Sequence, residues 1–257
     1  VTIPEGYTIE QIATAITADV STKKAGKTPF KKEDFLKAVQ DDAFIEKMVA
    51  KYPKLLANLP SKDSGVRYRL EGYLFPATYN YGKDTTVKEM IDQMLAAMDQ
   101  NLSPYYETLE SKNINVNEVL TLASLVEKEG ATDQDRKDIA SVFYNRLNQD
   151  MPLQSNIAIL YAEGKLGQKT TLKEDATINT ELDSPYNIYK NTGLMPGPVD
   201  NPGVSAIEAA VNPSKTDYLY FVANVENGEV FFAKTYEEHN KNVEEHVNSK
   251  LTQASSN

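Results

Sequence analysis

One glutamate of the chain is placed where a side chain could transfer protons. Residues 122–130, LASLVEKEG, form the predicted end of a helix, and apolar residues recur along it at helical spacing: Val119, Leu122, Ala123 and Val126. Glu127 borders this apolar stripe, so we expect its carboxyl group to be partly desolvated. It also lies in the last helical turn, where the negative end of the helix dipole disfavours ionisation. Both effects favour a protonated carboxyl group, which general acid catalysis requires.

A simpler interpretation exists for the same segment. Glu127 and Glu129 could be solvated charges at the end of a helix, as most such glutamates are. Lys128 between them is a favourable cation at a helix C-terminus. The residues of this segment taken alone favour the simpler interpretation.

Glu71 is a second candidate carboxylate, in the Tyr-rich segment 66–81. Alternation predicts a strand there, which would place four side chains on one face: Arg67, Arg69, Glu71 and Tyr73. Glu71 could form an ordinary ion pair with Arg69, which would contribute little. Alternatively, it could line a cleft in which Tyr73 and Tyr79 stack on a sugar, and the two interpretations are about evenly supported.

Several polar residues invite a structural interpretation before a functional one. Gln154, Ser155 and Asn156 precede a predicted helix, where Ser155 or Asn156 would serve as the N-cap. Asn187 and Tyr189 lie in a Pro/Gly-rich loop over 184–203 and would form turns first and bind substrate second.

Other chemistries find no support in the sequence. The chain has no cysteine, which excludes thiol catalysis and thiolate metal sites, and the two histidines, His239 and His246, have no partner motif for zinc. No nucleophile elbow, phosphate loop or dinucleotide fingerprint occurs. We therefore expect neither a metal nor a cofactor.

The elements that must position these residues are mostly helical. Helices are predicted after Thr8, from about Asn117 to Glu129, after Thr132, and near Ser155. Thr8, Asn115 with Glu118, and Thr132 with Asp135 are the candidate caps of the first three. Asn227-Gly228 between apolar runs predicts a β-hairpin. The fold class is therefore α+β, predominantly helical with small β elements. A polar loop over 60–65 suggests a boundary between residues 1–62 and residues 63–257.

Composition narrows the range of partners. The 257 residues carry a formal net charge of −10, and the densest basic cluster, around Lys23-Lys24, is short and interrupted. Nucleic acid is therefore a poor guess, and carbohydrate fits better. No run approaches the roughly 18 apolar residues that span a bilayer. The chain starts at Val1 rather than at Met, so an upstream targeting or membrane segment could have been removed.

A series of segments in a fixed order carries a family resemblance. They are LEGYLFP (70–76), ASLVEKE (123–129), VFYNRL (142–147), LQS (153–155), SPYN (184–187), GLMPGP (193–198), NPG (201–203) and YLYFVA (218–223). Together they resemble the MltG (YceG-like) family of endolytic murein transglycosylases over essentially the whole chain. The opening segment is similar to that family's LysM-like βααβ subdomain, which we assign to residues 1–62, ahead of a catalytic domain over 63–257.

The resemblance implies roles for individual residues. Glu127 occupies the position of the catalytic glutamate, and the matching motifs supply the expected substrate-binding residues: Glu71, Tyr73, Gln154, Ser155, Asn156, Tyr186, Asn187 and Tyr189. Two departures stand out, because Asn156 replaces a usual aspartate and Ile188 replaces a frequent threonine. Neither residue is therefore assigned the acid or hydrogen-bond donor role of the residue it replaces.

The resemblance also implies a setting and a reaction. The parent protein would be anchored in the bacterial plasma membrane and would cut nascent glycan strands on its extracytoplasmic face, near the peptidoglycan synthases. Glu127 would protonate the oxygen between N-acetylmuramic acid and N-acetylglucosamine, and the muramyl 6-hydroxyl would form a 1,6-anhydro end.

Two alternatives remain open. A muramidase could hydrolyse the same bond with Glu71 positioning a water, or the chain could be a non-catalytic peptidoglycan-binding scaffold. A metal-dependent amidase is disfavoured by the shortage of histidine and the absence of cysteine.

Overall fold

The computed structural model describes residues 1–20, 26–167 and 178–248. Lys23 and Lys24 of the predicted basic cluster lie outside these ranges. In the described residues the fold is α+β with helices predominating, as the sequence predicts. No helix in these ranges combines the length and the apolar run that crossing a bilayer requires.

The helices of the described residues are α1 (Ile9–Ala15), α2 (Lys32–Ala38), α3 (Asp42–Lys51), α4 (Val87–Leu102), α5 (Tyr106–Ser111), α6 (Val116–Glu129), α7 (Asp133–Asn148), α8 (Asn156–Ala162), α9 (Val204–Val211) and α10 (Tyr236–Val243). The strands form two antiparallel pairs: β1 (Ala18–Asp19) with β2 (Gly26–Lys27), and β3 (Tyr220–Ala223) with β4 (Val230–Ala233). The β3–β4 pair is the hairpin predicted around Asn227-Gly228.

Helix α6 lies at the centre of the molecule. Every residue from Val119 to Val126 is buried, so the second half of this helix meets protein on all sides. Helices α7, α8 and α9 pack against it. The helix reaches open surface at its two ends: Glu118 is exposed in the first turn, and Lys128 and Glu129 line a cleft at the C-terminal end.

Local capping signals in the sequence are confirmed. Thr8, Asn115 and Thr132 each accept a hydrogen bond from the backbone N–H three residues ahead, over distances of 3.2, 2.8 and 3.1 Å. Ser155 caps α8 through the N–H of Ile157 at 3.3 Å. These interactions satisfy N–H groups that a helix start otherwise leaves unpaired, so they fix where the helices begin.

The strand predicted over residues 66–81 is wrong. This segment runs through turns, and only Thr78 forms a bridge, with Thr2. Gly72 has φ of 93°, a left-handed conformation that interrupts an extended chain, and a Cβ there would lie 2.3 Å from the ring of Pro198. The backbone N–H groups of Gly72 and Leu74 donate to a side chain, Asn201, instead of to a neighbouring strand.

The first nine residues are fastened to distant parts of the chain. The backbone of Val1 and Ile3 pairs with residues 77–79, and Gly6 donates to the carbonyl of Asn201 at 2.9 Å. One hydrophobic core includes residues from both sides of the predicted boundary at residue 62. The boundary itself remains a prediction.

Asn201 joins three segments through one fully buried amide. Its Oδ1 accepts from the N–H groups of Gly72 and Leu74, at 2.8 and 3.0 Å. Its Nδ2 donates to the carbonyl of Tyr7 at 2.9 Å and to the carboxyl group of Glu71 at 2.8 Å. These four hydrogen bonds stabilise the relative positions of the three segments, because the loss of any one of them leaves a buried polar group unpaired.

Replacing Asn201 should therefore destabilise the whole fold. Asn201→Asp keeps the shape but removes both amide donors and sets a second carboxyl group against Glu71. We expect a loss of about 2 to 4 kcal/mol in the free energy of unfolding, measured by urea denaturation. The exposed Asn212→Asp serves as the matched control. Equal stability of the two variants would show that the Asn201 network contributes little.

Candidate active site

A cleft of about 750 Å³ opens at the C-terminal end of α6. Its walls are the end of α6, the start of α8, the loop that carries Tyr189, and strand β3 with α10. The polar and aromatic residues that line it include Glu129, Arg146, Gln154, Asn156, Tyr189 and Tyr220. Three predicted substrate-binding residues, Gln154, Asn156 and Tyr189, therefore share one cavity.

Glu129 is the acidic residue of this cleft. It is the last residue of α6, where the helix dipole disfavours a negative charge, and burial raises the pKa of its carboxyl group. The hydroxyl of Ser155 donates to its Oε1 at 3.2 Å and opposes part of that rise. The Glu129 carboxyl group therefore keeps its proton to a higher pH than an ordinary glutamate does, and it faces a cavity.

The start of α8 supplies the neighbours of Glu129. Ser155 is buried and bonds Glu129, whereas Gln154 and Asn156 on either side are exposed to the cleft. Gln154 has φ of 58°, a left-handed conformation that is uncommon for a residue other than glycine. Because such strain persists only where its surroundings impose it, it marks this turn as a candidate functional segment.

Tyr189 lies opposite this turn. Its hydroxyl donates to Oδ1 of Asn156, which ties the loop over 184–203 to the start of α8. Burial and then the charge of Glu129 raise the pKa of Tyr189. The phenol therefore stays protonated and remains a hydrogen-bond donor beside the carboxyl group.

Glu127 points away from this cavity, although it is only two residues from Glu129. Its Oε1 accepts from the backbone N–H of Gly203 at 2.8 Å, and its Oε2 lies 3.7 Å from the guanidinium of Arg136. Gly6 packs over it, since a Cβ there would lie 3.2 Å from Cγ of Glu127. Burial raises the pKa of Glu127, whereas the Gly203 N–H and Arg136 lower it. Glu127 thus joins α6 to the start of α9 and to the N-terminal turn.

Glu71 and Tyr73 are internal. Glu71 is 1% exposed, and its Oε2 accepts from the N–H of Ile9 and from Asn201, both at 2.8 Å. Tyr73 is fully buried and donates to Oδ1 of Asn117 at 3.0 Å. The common strand face predicted for Glu71 and Tyr73 does not exist. A ring with no exposed surface offers no face to a sugar, and the same holds for the buried Tyr79.

Tyr186 and Asn187 shape the loop from inside. Asn187 is fully buried: it donates to the carbonyls of Thr180 and Leu182 and accepts from the N–H of Tyr189. Tyr186 is buried against the ring of Tyr161, with the centroids 5.2 Å apart. Both residues hold the loop in the conformation that presents Tyr189 to the cleft.

Five polar lining residues were not singled out as site residues from the sequence: Lys128, Glu129, Arg146, Tyr220 and His239. Arg146 belongs to the buried side of α7, where an arginine among apolar neighbours is itself a signal. Tyr220 and His239 come from the hairpin and from α10, which follow in the chain long after α6. Across the described ranges, no group of acidic or histidine side chains could hold a metal ion.

The burial of Glu71 predicts a pH dependence of stability. Burial is the main cause that raises its pKa from 4.5 to about 7, so the folded protein binds this proton more tightly than the unfolded chain does. Stability should therefore fall as the pH rises from about 4.5 through 7, by up to about 3 kcal/mol. Glu71→Gln should make this dependence less steep in urea denaturation between pH 5 and 8, and Glu127, Glu129 and Asp200, whose pKa values are also raised by burial, should account for the remainder.

The exposed Glu237→Gln is the matched control for this experiment and should retain the parental pH dependence. An equally steep fall in stability for Glu71→Gln would mean that another group titrates in this range.

Comparisons with known proteins agree with one another. Residues 1–245 match the YceG-like family. A Streptococcus pneumoniae protein named endolytic murein transglycosylase is 63% identical over 250 residues, which cover 97% of this chain and 45% of that protein. A Bacillus subtilis protein of the same name is 41% identical over 251 residues, covering 97% and 66%.

A solved structure supports the same grouping. The crystal structure of a YceG-like protein from Listeria monocytogenes superimposes with a TM-score of 0.81 at 46% identity, covering 93% of this chain and 74% of that one. The chain spans less than half of the pneumococcal relative and about two thirds of the Bacillus relative. With a family match over nearly its whole length, this chain belongs to the YceG-like family.

Proposed function

We propose that this chain is the catalytic part of a lytic transglycosylase that cleaves peptidoglycan glycan strands, with Glu129 as its acid and base. Two relatives that match 97% of the chain are named endolytic murein transglycosylase. The observation that carries the chemical part of the proposal is the single carboxyl group, that of Glu129, among the described residues that line the cleft.

A lone carboxyl group suits this reaction better than hydrolysis. Ordinary glycosidases use two carboxyl groups, about 5 to 10 Å apart, on opposite sides of the scissile bond. Glu71, the residue that a hydrolytic mechanism would need, is enclosed in the core and contacts Ile9 and Asn201. A transglycosylase needs no second carboxylate, since its nucleophile is a hydroxyl group of the substrate.

The proposed reaction returns its proton to the same residue. Protonated Glu129 donates to the glycosidic oxygen, and the bond from the muramyl anomeric carbon to that oxygen breaks. The muramyl 6-hydroxyl then bonds to the anomeric carbon and gives its proton to the Glu129 carboxylate. The products are a new N-acetylglucosamine 4-hydroxyl and a 1,6-anhydro-muramyl end, with no water consumed.

We assign the acid role to Glu129 and not to Glu127, the sequence-based candidate, because of the groups that surround each side chain. Glu127 is engaged by the Gly203 N–H and lies near Arg136, and it does not line the cleft. Glu129 faces the cavity and has no cation among the causes that shift its pKa. A general acid must hold its proton and reach the substrate, and the raised pKa of Glu129 and its place in the cleft favour both.

The cellular setting is also a proposal, because the chain is shorter than its relatives. From the family resemblance of the sequence motifs, we infer that the substrate is nascent peptidoglycan outside the plasma membrane, that the parent protein is membrane-anchored, and that it acts near peptidoglycan synthases. The LysM-like assignment of residues 1–62 is likewise proposed. The described order there is an isolated bridge at Thr2, then α1, β1, β2, α2 and α3, which differs from a βααβ unit.

The products of cleavage test the reaction and the residue together. Incubation of purified peptidoglycan with this chain should release 1,6-anhydro-muramyl ends, detected by mass spectrometry. Glu129→Gln should lower their yield at least about a hundredfold, because it removes the transferable proton. Glu127→Gln should stay within about tenfold of the parent, because the amide can still accept from Gly203.

Glu71→Gln is the second control and should retain activity, since the residue is internal. The opposite ranking, with Glu127→Gln inactive and Glu129→Gln active, would return the acid role to Glu127. Reducing muramyl ends would identify a hydrolase, and no new ends from the parent chain would contradict the proposed activity.

Ser155 provides a pH test of the Glu129 assignment. The reaction needs protonated Glu129, so kcat should fall as the pH rises through the pKa of that residue. The Ser155 hydroxyl lowers this pKa, and Ser155→Ala should therefore move the alkaline limb to higher pH. An alkaline limb that moves to lower pH, or stays in place, would show that Glu129 is not the group whose protonation limits kcat.

A further inference from the structure

The charge of the cleft is opposite to that of the chain. The chain has a formal net charge of −10, yet the described residues that line the cleft include Lys128 and Arg146 against the single carboxyl group of Glu129. When Glu129 carries its catalytic proton, the described lining residues present two cations and no anion. A cavity of this sign in an acidic protein favours a negatively charged group on the ligand.

Arg146 is the more enclosed of the two cations. It is 6% exposed, although it belongs to the lining of the cleft. Its Nε donates to the carbonyl of Leu219 at 2.6 Å and its Nη1 to the carbonyl of Pro152 at 2.7 Å. The guanidinium carbon lies 4.9 Å from the ring centre of Tyr220. Among the described residues, each group that holds Arg146 is thus formally neutral.

Neutral partners leave the charge of this guanidinium uncompensated. Burial lowers the pKa of Arg146, and no carboxylate in the described ranges forms an ion pair with it. A buried cation ordinarily has a counter-ion, because removing it from water costs several kcal/mol. The carbonyls of Leu219 and Pro152 fix the plane of the guanidinium group, so its remaining N–H groups are oriented before a ligand arrives.

The pKa of His239 is affected by the positive charge of Arg146. Its ring stacks on Tyr220 with the centroids 5.1 Å apart and borders the cleft. Burial and then the charge of Arg146 lower the pKa of His239, which keeps the imidazole neutral. This corner therefore contains one fixed cation, one neutral imidazole and two phenols, Tyr220 and Tyr189.

We propose that Arg146 binds a carboxylate of the glycan substrate and selects the acid-bearing sugar for the position next to Glu129. The inference rests on the proposed function. In a strand of alternating N-acetylglucosamine and N-acetylmuramic acid, only the muramyl residue carries a carboxyl group, either on its lactyl ether or on the peptide attached there. A cation at one end of the cleft therefore fixes which of the two glycosidic bonds reaches the acid.

This proposal can be tested by comparing ligands with free and with neutralised carboxylates while Arg146 is unchanged. We would use Glu129→Gln, which should bind without cleaving, and tetrasaccharide fragments of peptidoglycan measured by calorimetry. One pair has peptide carboxylates free or converted to amides, and the other lacks peptide and has the lactyl carboxylate free or methyl-esterified. The free form of one pair should bind at least about tenfold tighter. The pair that shows the difference identifies which carboxylate is bound.

Variants of two arginines test whether Arg146 causes the preference for charged ligands. Arg146→Gln in the same background should abolish the difference between charged and neutral ligands, and Arg146→Lys should keep part of it. Arg69→Gln is the matched control, because Arg69 also donates to a backbone carbonyl, that of Pro60, but does not line the cleft. It should leave the preference intact.

The two histidines of the chain supply a readout that a purely structural arginine would not change. A carboxylate bound beside Arg146 should raise the pKa of His239 in an NMR titration. His246, which stacks on Phe231 outside the cleft lining, is the internal control and should not respond. The amidated or esterified ligand should leave both histidines unchanged.

The outcomes separate this inference from the proposed function. Equal affinity for charged and neutral fragments, or a preference that persists in Arg146→Gln, would overturn the role of Arg146 and leave the transglycosylase assignment standing. If Arg146→Gln fails to fold, Arg146→Lys and the titration of His239 with Arg146 in place still decide, because Arg146 is the charge that acts on His239. A parent chain that neither binds nor cleaves any fragment would overturn the proposed function and this inference with it.

Discussion

The buried amide of Asn201 is the constraint on which the arrangement of the molecule depends. It fixes the turn around Gly72, the N-terminal turn at Tyr7 and its own loop relative to one another. Helix α9 begins three residues later, after Gly203, whose N–H group holds Glu127 near the end of α6. The loop that carries Asn201 thereby links the turn around Gly72 and the N-terminal turn to the end of α6.

Helix geometry then separates two neighbouring glutamates. Positions two apart on a helix point about 200° from each other, so Glu127 and Glu129 face opposite sides of α6. One side meets the loop at Gly203, and the other opens to the cleft. The same helix end therefore carries one carboxyl group that joins structural elements and one that faces the cleft, with burial raising the pKa of both.

The sequence predicts what local interactions decide. Caps at Thr8, Asn115 and Thr132 and the hairpin around Asn227-Gly228 depend on residues within a few positions, and they are confirmed. The segment 66–81 was predicted incorrectly because its hydrogen bonds go to Asn201, more than a hundred residues away. No local pattern contains that information.

The site shows the same division between local and distant interactions. Gln154, Asn156 and Tyr189 were identified by their motifs and do line one cleft, whereas Glu71, Tyr73, Tyr186 and Asn187 belong to the interior. Amphipathic spacing could not distinguish Glu127 from Glu129, because apolar neighbours surround α6 on every side and the stripe identifies no single face. Arg146 escaped notice because its meaning depends on partners at residues 152 and 219.

The fastening of the first residues has a consequence for how the chain acquires its structure. Tyr7 and Asn201 are bonded across 194 positions, and Ile9 meets Glu71 across 62. Contacts of this sequence separation close large loops, and they form late and slowly compared with the helices. During synthesis from the N-terminus, Val1, Ile3 and Ile9 therefore find their partners once residues 71–79 are made, whereas Gly6 and Tyr7 wait for Asn201. The end of α6 reaches its final position only when the earliest and the latest segments have met.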